Sequence, residues 1–582
     1  MLSAARYFHT LRYLRPVQIY GRLWHKLYHP KPDLSPPPAI RPLSGIWRDP
    51  ARKSSSLIGP NRFRFLNVEH DILLASDWNH PAWAKLWLYN LHYFDDLTAV
   101  NATDRIDSHR SLIMRWVAEN PPGTGNGWEP YPLSLRIVNW IKWALAGNSL
   151  PRAALESLAI QTRFLAKRME FHLLGNHLLA NGKALVFAGF FFEDQEADAW
   201  AVKGLRILNR ELPEQILEDG GHFERSPMYH SIILEDLLDM TNLMQCYSDL
   251  PAERGDIANH SHCRAAHRKR ELCWQSPFVE AGMLMIAWLK AVCHPDGQIA
   301  LFNDAAFEIA PQPAALYEYA KRLGIHEPDR TLTEQQPLAK SSIDCLSFGH
   351  IRLTHLKKSG YIRIENGSMT AILDVAPIGP DYLPGHAHAD TLSFEMAFHD
   401  QRVIVDSGTS RYDDGDERLR QRSTAAHNTV AIDGKDSSEV WGSFRVARRA
   451  RPYGFEIKET SRGAVVVRCA HDGYRRLSGK PNHWREWHFD NNSLTIHDVI
   501  EGRYSEAVGR FHFHPAVTIE NTDNAFFSIA LPSGEKLSCH VQNGHGHLVS
   551  STFHPEFGLN YQNQCLEVQL NGNASNIVFN WS

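Results

Sequence analysis

A chain of 582 residues is too long for one hydrophobic core and suits two or three domains. Hydrophobic content of 43% and charged content of 22% are ordinary for a globular protein, and no run approaches the roughly 18 uncharged apolar residues of a membrane span. A formal net charge of −4 gives no general attraction to a polyanion, which argues against nucleic acid as a partner. Any acidic ligand must then be held by a local basic patch.

The opening, MLSAARYFHTLRYLRPVQIYGRLWHKLYHP, has no continuous apolar h-region. It predicts a cytoplasmic protein, or a periplasmic or secreted one if a leader has been removed. A Pro-rich connector, PKPDLSPPPAIRP, closes an N-terminal extension over 1–45. From 46 to 338 the periodicity is helical. Leu155, Leu158, Leu165 and Met169 share one face, as do Ile233, Leu237, Met240 and Met244. Glu280 to Cys293 is apolar almost all round, as in an inner helix. From 339 to 582 the pattern is short and alternating. Leu392, Phe394, Met396 and Phe398 alternate before a turn at His399–Gln401, and Asn366–Gly367–Ser368 predicts a hairpin. No helical crossovers separate these runs, so an antiparallel sandwich is expected. The eight cysteines form no CxxC pair and read as buried free thiols.

Four segments carry candidate chemistry. LLGNHLLANGK puts Asn176 and His177 side by side in a helical region, as a buried tie between helices or as part of a site. In DGGHFERSPMYH, Ser226 is a good N-cap and Pro227 fits the first helical position. Tyr229 then lies in the first turn, where the helix dipole favours phenolate. His386 and His388 in PGHAHADTLSF share a face of extended chain. With Asp406 and His427, His388 completes an N/N/O set suited to zinc. A second ligand-like run, His260, His262, Cys263 and His267, reads as a solvated loop. Arg411, Arg418, Arg420, Arg422, Arg445, Arg448, Arg449 and Arg451 supply local positive charge for an anionic chain. Aromatic residues in polar company suit the stacking surfaces of a sugar cleft. Trp128, Tyr131, Arg136, His222, Glu224, Arg225, Tyr412 and Arg422 are the residues expected to line it.

The motifs GNHLLANG, DGGHFERSPMYH, GHAHADTLSFEM, VDSGT and RSTAAHNTV, in that order, resemble the heparinase II/III family of polysaccharide lyases. The resemblance implies a multidomain α+β protein: an N-terminal α/α toroid, an incomplete helical barrel, then a C-terminal antiparallel β-sandwich, with a cleft between them. It implies that Asn176, beside His177, neutralises a uronate carboxylate while Tyr229 and His386 carry out β-elimination on an acidic polysaccharide. It makes His388, Asp406 and His427 ligands of a structural zinc ion. Asn176 departs from members that carry His there, and the absent leader departs from exported members. A homodimer is compatible with this reading. Two other readings remain open: a metal-dependent hydrolase, and a non-catalytic glycan-binding or assembly protein of capsule or exopolysaccharide production.

Overall fold

The computed structural model describes residues 4–249, 267–326, 342–461, 463–523 and 525–581, with backbone only for 267–276. Two helices open the chain, α1 (Ala4–Leu11) and α2 (Pro16–Leu27). The helical half then runs through α3 (Lys85–Tyr93), α4 (Ile106–Glu119), α5 (Pro130–Leu145), α6 (Arg152–Lys167), α7 (Gly175–Phe191) and α8 (Gln195–Gln215). It ends with α9 (Pro227–Cys246), α10 (His267–Ala291) and α11 (Pro313–Arg322). Successive helices pack as a curved layer, α5 on α6 and α7, α7 on α8 and α9, and α9 on α10 and α11. This is the expected incomplete toroid.

Local chemistry sets the helix starts. The Ser226 side chain accepts from the Tyr229 amide at 3.3 Å, with Pro227 at the first position of α9. Asp194 caps α8 through the Ala197 amide. Ile233, Leu237, Met240 and Met244 are all buried, as their spacing predicted. Leu158 and Leu165 are buried on α6, while Met169 is buried just past its end. Inside the ring, Asp239 accepts from Lys142 at 2.9 Å, Lys183 at 2.7 Å and the Tyr319 hydroxyl at 3.0 Å.

The C-terminal half contains six-, eight- and four-stranded sheets, and every ladder in them is antiparallel. Asn366 pairs with Met369 around Gly367 and Ser368, and Phe398 pairs with Gln401, so both expected turns are present. Strands Asn482–Asp490 and Ser493–Glu501 bury alternate residues. Their inner face packs Trp487, Phe489 and Ile496 against Phe394, Met396 and Phe398 of the six-stranded sheet.

The halves are joined tightly. The apolar cluster of the toroid continues into Leu356, Tyr361, Ile372, Val405 and Phe553 of the sandwich. Asp219 accepts from the amides of Lys358 (2.7 Å) and Ser359 (2.6 Å), and Trp288 donates to the Ser359 hydroxyl at 2.8 Å. The anticipated boundary at 338/339 and the His260–Cys263 run lie outside the described residues. Of the six cysteines with described side chains, five are buried and Cys345 is exposed. No helix of the described residues is long and apolar enough to cross a membrane.

Candidate active site

The start of α9 and the 380–390 loop of the sandwich meet at one groove. There the rings of Tyr229 and His386 stack with centroids 3.9 Å apart and planes at 29°. The Tyr229 hydroxyl lies 3.2 Å from that of Tyr412, whose own ring is 5.8 Å from His386. Burial, and then Tyr412 and Asp304, hold the Tyr229 phenol well above its ordinary range. The lowering expected from the helix dipole is overturned: desolvation outweighs a dipole on a side chain only 7% exposed. Tyr229 is therefore a protonated phenol at rest.

Asp304 organises this site, and sequence reading missed it. Its carboxylate accepts from His386 Nδ1 at 2.9 Å, His388 Nε2 at 2.8 Å and both terminal nitrogens of Arg418, with Nη2 at 2.7 Å. Burial pushes its pKa up, but Arg418 and the two imidazoles outweigh that and hold it well below the carboxylate range. An ionised acceptor at Nδ1 requires a proton there, which leaves Nε2 as the nitrogen able to act as a base. The backbone follows the same design. The Ser226 hydroxyl donates to the Asp304 carbonyl at 2.6 Å, and the Asp304 amide donates to the His386 carbonyl at 3.0 Å. The available signal was an Asn–Asp pair inside the buried apolar run Ala300–Ala306.

The start of α7 forms the next part of the groove. Gly175 has a positive φ of 55°, which favours glycine, and a Cβ there would stand 2.5 Å from Leu383 Cδ2, so any side chain would push that leucine tip aside. Asn176 follows, only 7% exposed, its side-chain amide without a protein partner among the described residues. His177 donates to Glu170 at 3.2 Å and packs its ring 4.4 Å from Tyr131. Glu224 closes the arrangement, its Oε2 3.8 Å from His386 Nε2 and its buried Oε1 unpartnered. Burial raises the Glu224 pKa, against a lowering by His386 and His177. Tyr229, His386, Tyr412 and Glu224 thus gather around the groove, with His177 and Tyr131 packed together beside it and Asn176 next to His177 in the first turn of α7.

Other expected sugar contacts are corrected. Trp128 is buried against Trp116 and Phe164. Arg136 is fully buried, 3.8 Å over the Trp116 ring, and donates to the carbonyls of His92 and Gly127. Arg422 is fully buried and donates to the Ala387 and Gly442 carbonyls, bracing the His386 loop from behind. His222 is fully buried against Gln215, and Arg225 donates to the Ser359 carbonyl at 3.0 Å across the seam between the halves. The arginine supply is largely spent as well. Arg411, Arg420, Arg448 and Arg451 pair with Asp413, Glu417, Glu439 and Asp381, leaving Arg445 exposed beside Trp441. Guanidinium groups hold loops here because their fixed donors match several carbonyls at once.

Behind His386, the rings of His388 and His427 lie 5.2 Å apart, both fully buried. His388 Nδ1 and His427 Nε2 have no partner, an arrangement that metal ligands would explain. Asp406 is already engaged at 2.7 Å by His427 Nδ1. Among the described residues no three such side chains surround a common point.

A helical ring and a β-sandwich that deliver a phenol and an aligned imidazole to a shared groove define a two-domain scaffold with acid–base capacity. Models of the heparinase II/III N-terminus and of the heparinase II/III-like C-terminal region match residues 97–255 and 351–582. The chain belongs to the heparinase II/III family. It is 27% identical over 385 residues to a heparin-sulfate lyase of Bacteroides stercoris, covering 64% of this chain and 51% of that protein. It is 25% identical to the FtsZ-localized protein C of Caulobacter vibrioides, over 74% of this chain and 70% of that one. The crystal structure of heparinase III superposes with a TM-score of 0.60 at 17% identity, covering 85% of this chain and 76% of that one. The chain spans about half the length of the heparin-sulfate lyases from B. stercoris and Pedobacter heparinus that it matches.

Proposed function

We propose that the protein is a polysaccharide lyase that cleaves a uronate-containing glycan by β-elimination. The observation that carries this is the Tyr229–His386 stack, with His386 aligned by Asp304. The heparin-sulfate lyase names of its relatives support the same reading. The unpartnered Asn176 amide, with His177 beside it, would bind the C6 carboxylate and disperse the charge that develops when C5 loses its proton. His386 Nε2 takes that proton. As the C4–O4 bond breaks, Tyr229 gives its phenolic proton to the departing O4, and a C4–C5 double bond remains. A protonated Tyr229 and the Asp304 acceptor at His386 Nδ1 support this division of labour. Burial raises the Glu224 pKa, which lessens the repulsion an acidic substrate would meet inside the groove.

A structural zinc ion held by His388 and His427, with Asp406, belongs to the same proposal. Its support is the two unpartnered imidazole nitrogens. It would fix the loop that carries His386, and no step of the elimination runs through it. Metal analysis should find zinc that His388→Ala lowers; equal metal content in both proteins would reject the assignment.

The alternative is a non-catalytic glycan-binding or assembly protein, since the FtsZ-localized protein of C. vibrioides, whose name states no lyase activity, matches a larger share of the chain than the lyases do. Incubation with heparan-type, alginate and bacterial polyuronates separates the two. The lyase reading expects ultraviolet absorbance from the conjugated product to rise with at least one glycan and to vanish in Tyr229→Phe. Binding without any such rise would favour the assembly protein.

A further inference from the structure

Exposed large apolar side chains crowd into one short stretch. Of the 23 among the described residues, 12 lie between Tyr7 and Ile46. On α2, Ile19, Tyr20, Leu23, Trp24 and Leu27 are 55%, 62%, 61%, 62% and 81% exposed. Their spacing places them on one arc of roughly 140° at about 100° per residue, the pattern that ordinarily faces a core. Here the opposite, more polar face touches the protein. Gln18 donates to the Tyr382 carbonyl at 3.0 Å, Gly21 sits against His172, and the His25 ring lies 4.3 Å from that of His172. Arg15 pins the helix start to Glu214 at 3.1 Å and covers the Tyr382 ring at 3.7 Å. The apolar arc is therefore held outward. On α1, Tyr7 and Thr10 hold Trp441 and leave Phe8 and Leu11 facing solvent.

The charge carried by α1 and α2 themselves has one sign, with Arg15 alone ion-paired among the described residues, to Glu214. The first 32 residues hold six lysines and arginines and no aspartate or glutamate. Arg22 and Lys26 are exposed at the edge of the apolar arc. Beside α2 runs a groove of about 750 Å³, walled by Leu23, Trp24 and Leu27 with Lys167, Arg168 and Lys203; no carboxylate is among its lining residues. A second copy of the chain would bring like charges together on this face. A hydrophilic glycan would leave Ile19, Leu23 and Leu27 without a use.

We propose that α1 and α2 seat the protein on an anionic lipid bilayer. The apolar arc enters the zone between headgroups and acyl chains, Trp24 and Tyr20 lie at headgroup level, and the surrounding cations meet lipid phosphates. Because α2 rests on Tyr382 and α7 meets Leu383, the bound face adjoins the rim of the groove.

Flotation of the full chain with vesicles tests this, using phosphatidylglycerol–phosphatidylethanolamine against phosphatidylcholine alone. The protein is expected to float with the anionic vesicles and at least tenfold less with the neutral ones. Leu23→Glu/Leu27→Glu and Arg22→Glu/Lys26→Glu should each reduce binding to anionic vesicles at least tenfold. Melting temperature and any turnover of soluble glycan should stay unchanged. Failure of the wild-type chain to float with anionic vesicles, or wild-type binding by both folded variants, overturns the proposal. So does a dimer in solution that Leu23→Glu/Leu27→Glu splits while no vesicle binds, which would assign the face to a second copy.

Discussion

Replacing Asp304 by asparagine separates positioning from chemistry at the groove. The side chain keeps its shape but loses the charge that pairs with fully buried Arg418 and the acceptor that fixes His386 Nδ1–H. Removing one partner of a buried ion pair costs about 3–5 kcal/mol. Arg418 keeps two bonds to the Ser443 carbonyl, at 3.1 and 3.0 Å, which places the expected loss at the lower end. The kinetic effect is of comparable size. An amide N–H turned toward Nδ1 moves the imidazole proton to Nε2 and removes the free base. A positioned general base contributes about 10²–10⁴ in rate, or roughly 2.7–5.4 kcal/mol of activation free energy. Initial rates of unsaturated-product formation and urea unfolding should therefore both fall, turnover by at least about a hundredfold. The decisive comparison is the double variant Asp304→Asn/His386→Ala, which should be no slower than His386→Ala alone. A folded Asp304→Asn protein within a few-fold of wild-type turnover refutes the reasoning. So does a double variant whose losses multiply.

Tyr229→Phe removes a hydroxyl whose only protein partner among the described residues is Tyr412, so turnover should vanish while glycan affinity, by calorimetry, and unfolding midpoint stay near wild type. Asp239→Ala leaves Lys142 with Glu235 and Lys183 with Asp236 as their remaining carboxylates inside the toroid and should destabilise the helical half by about 3 kcal/mol in denaturant, the lower end for a broken buried pair. Asp498 supplies a pH test remote from the groove. Burial raises its pKa, but Arg485 at 2.7 and 2.9 Å and His483 at 2.7 Å outweigh that and depress it. A depressed carboxylate adds stability above its unfolded pKa of about 3.9 and loses it as pH falls through the folded value. The stability gap between wild type and Asp498→Asn should therefore be full at pH 7 and shrink below about pH 4, followed by urea unfolding. A gap that widens on acidification would contradict the pairing.

Much of the scaffold was legible because local rules and global fold agree in this chain. Ser226 and Pro227 announced the start of α9, and Asn366–Gly367–Ser368 announced a hairpin, since each needs only its neighbours in sequence. The motif residues Tyr229 and His386 do converge in space. What failed depended on long-range desolvation. Arg136, Arg422 and Trp128 look like ligand contacts by residue type, yet each fills an interior position whose partners lie elsewhere in the chain. The same blindness hid Asp304, 82 residues before His386, and reversed the expected shift of the Tyr229 phenol. The outward stripe of α2 also has a core-like pattern, and only its docking through Gln18 and Gly21 shows which way it faces.

The clasp of Asp219 on the 358–359 turn, backed by an apolar cluster that ignores the fold boundary, bears on how such proteins can be re-engineered. Asp304 follows α10, while Arg418, His386 and His388 belong to sheet connections. A chimera that exchanges only the sandwich would import imidazoles without the anion that aims them. The smallest transplantable cassette therefore straddles both lobes, and specificity within the family should be inherited in that paired form.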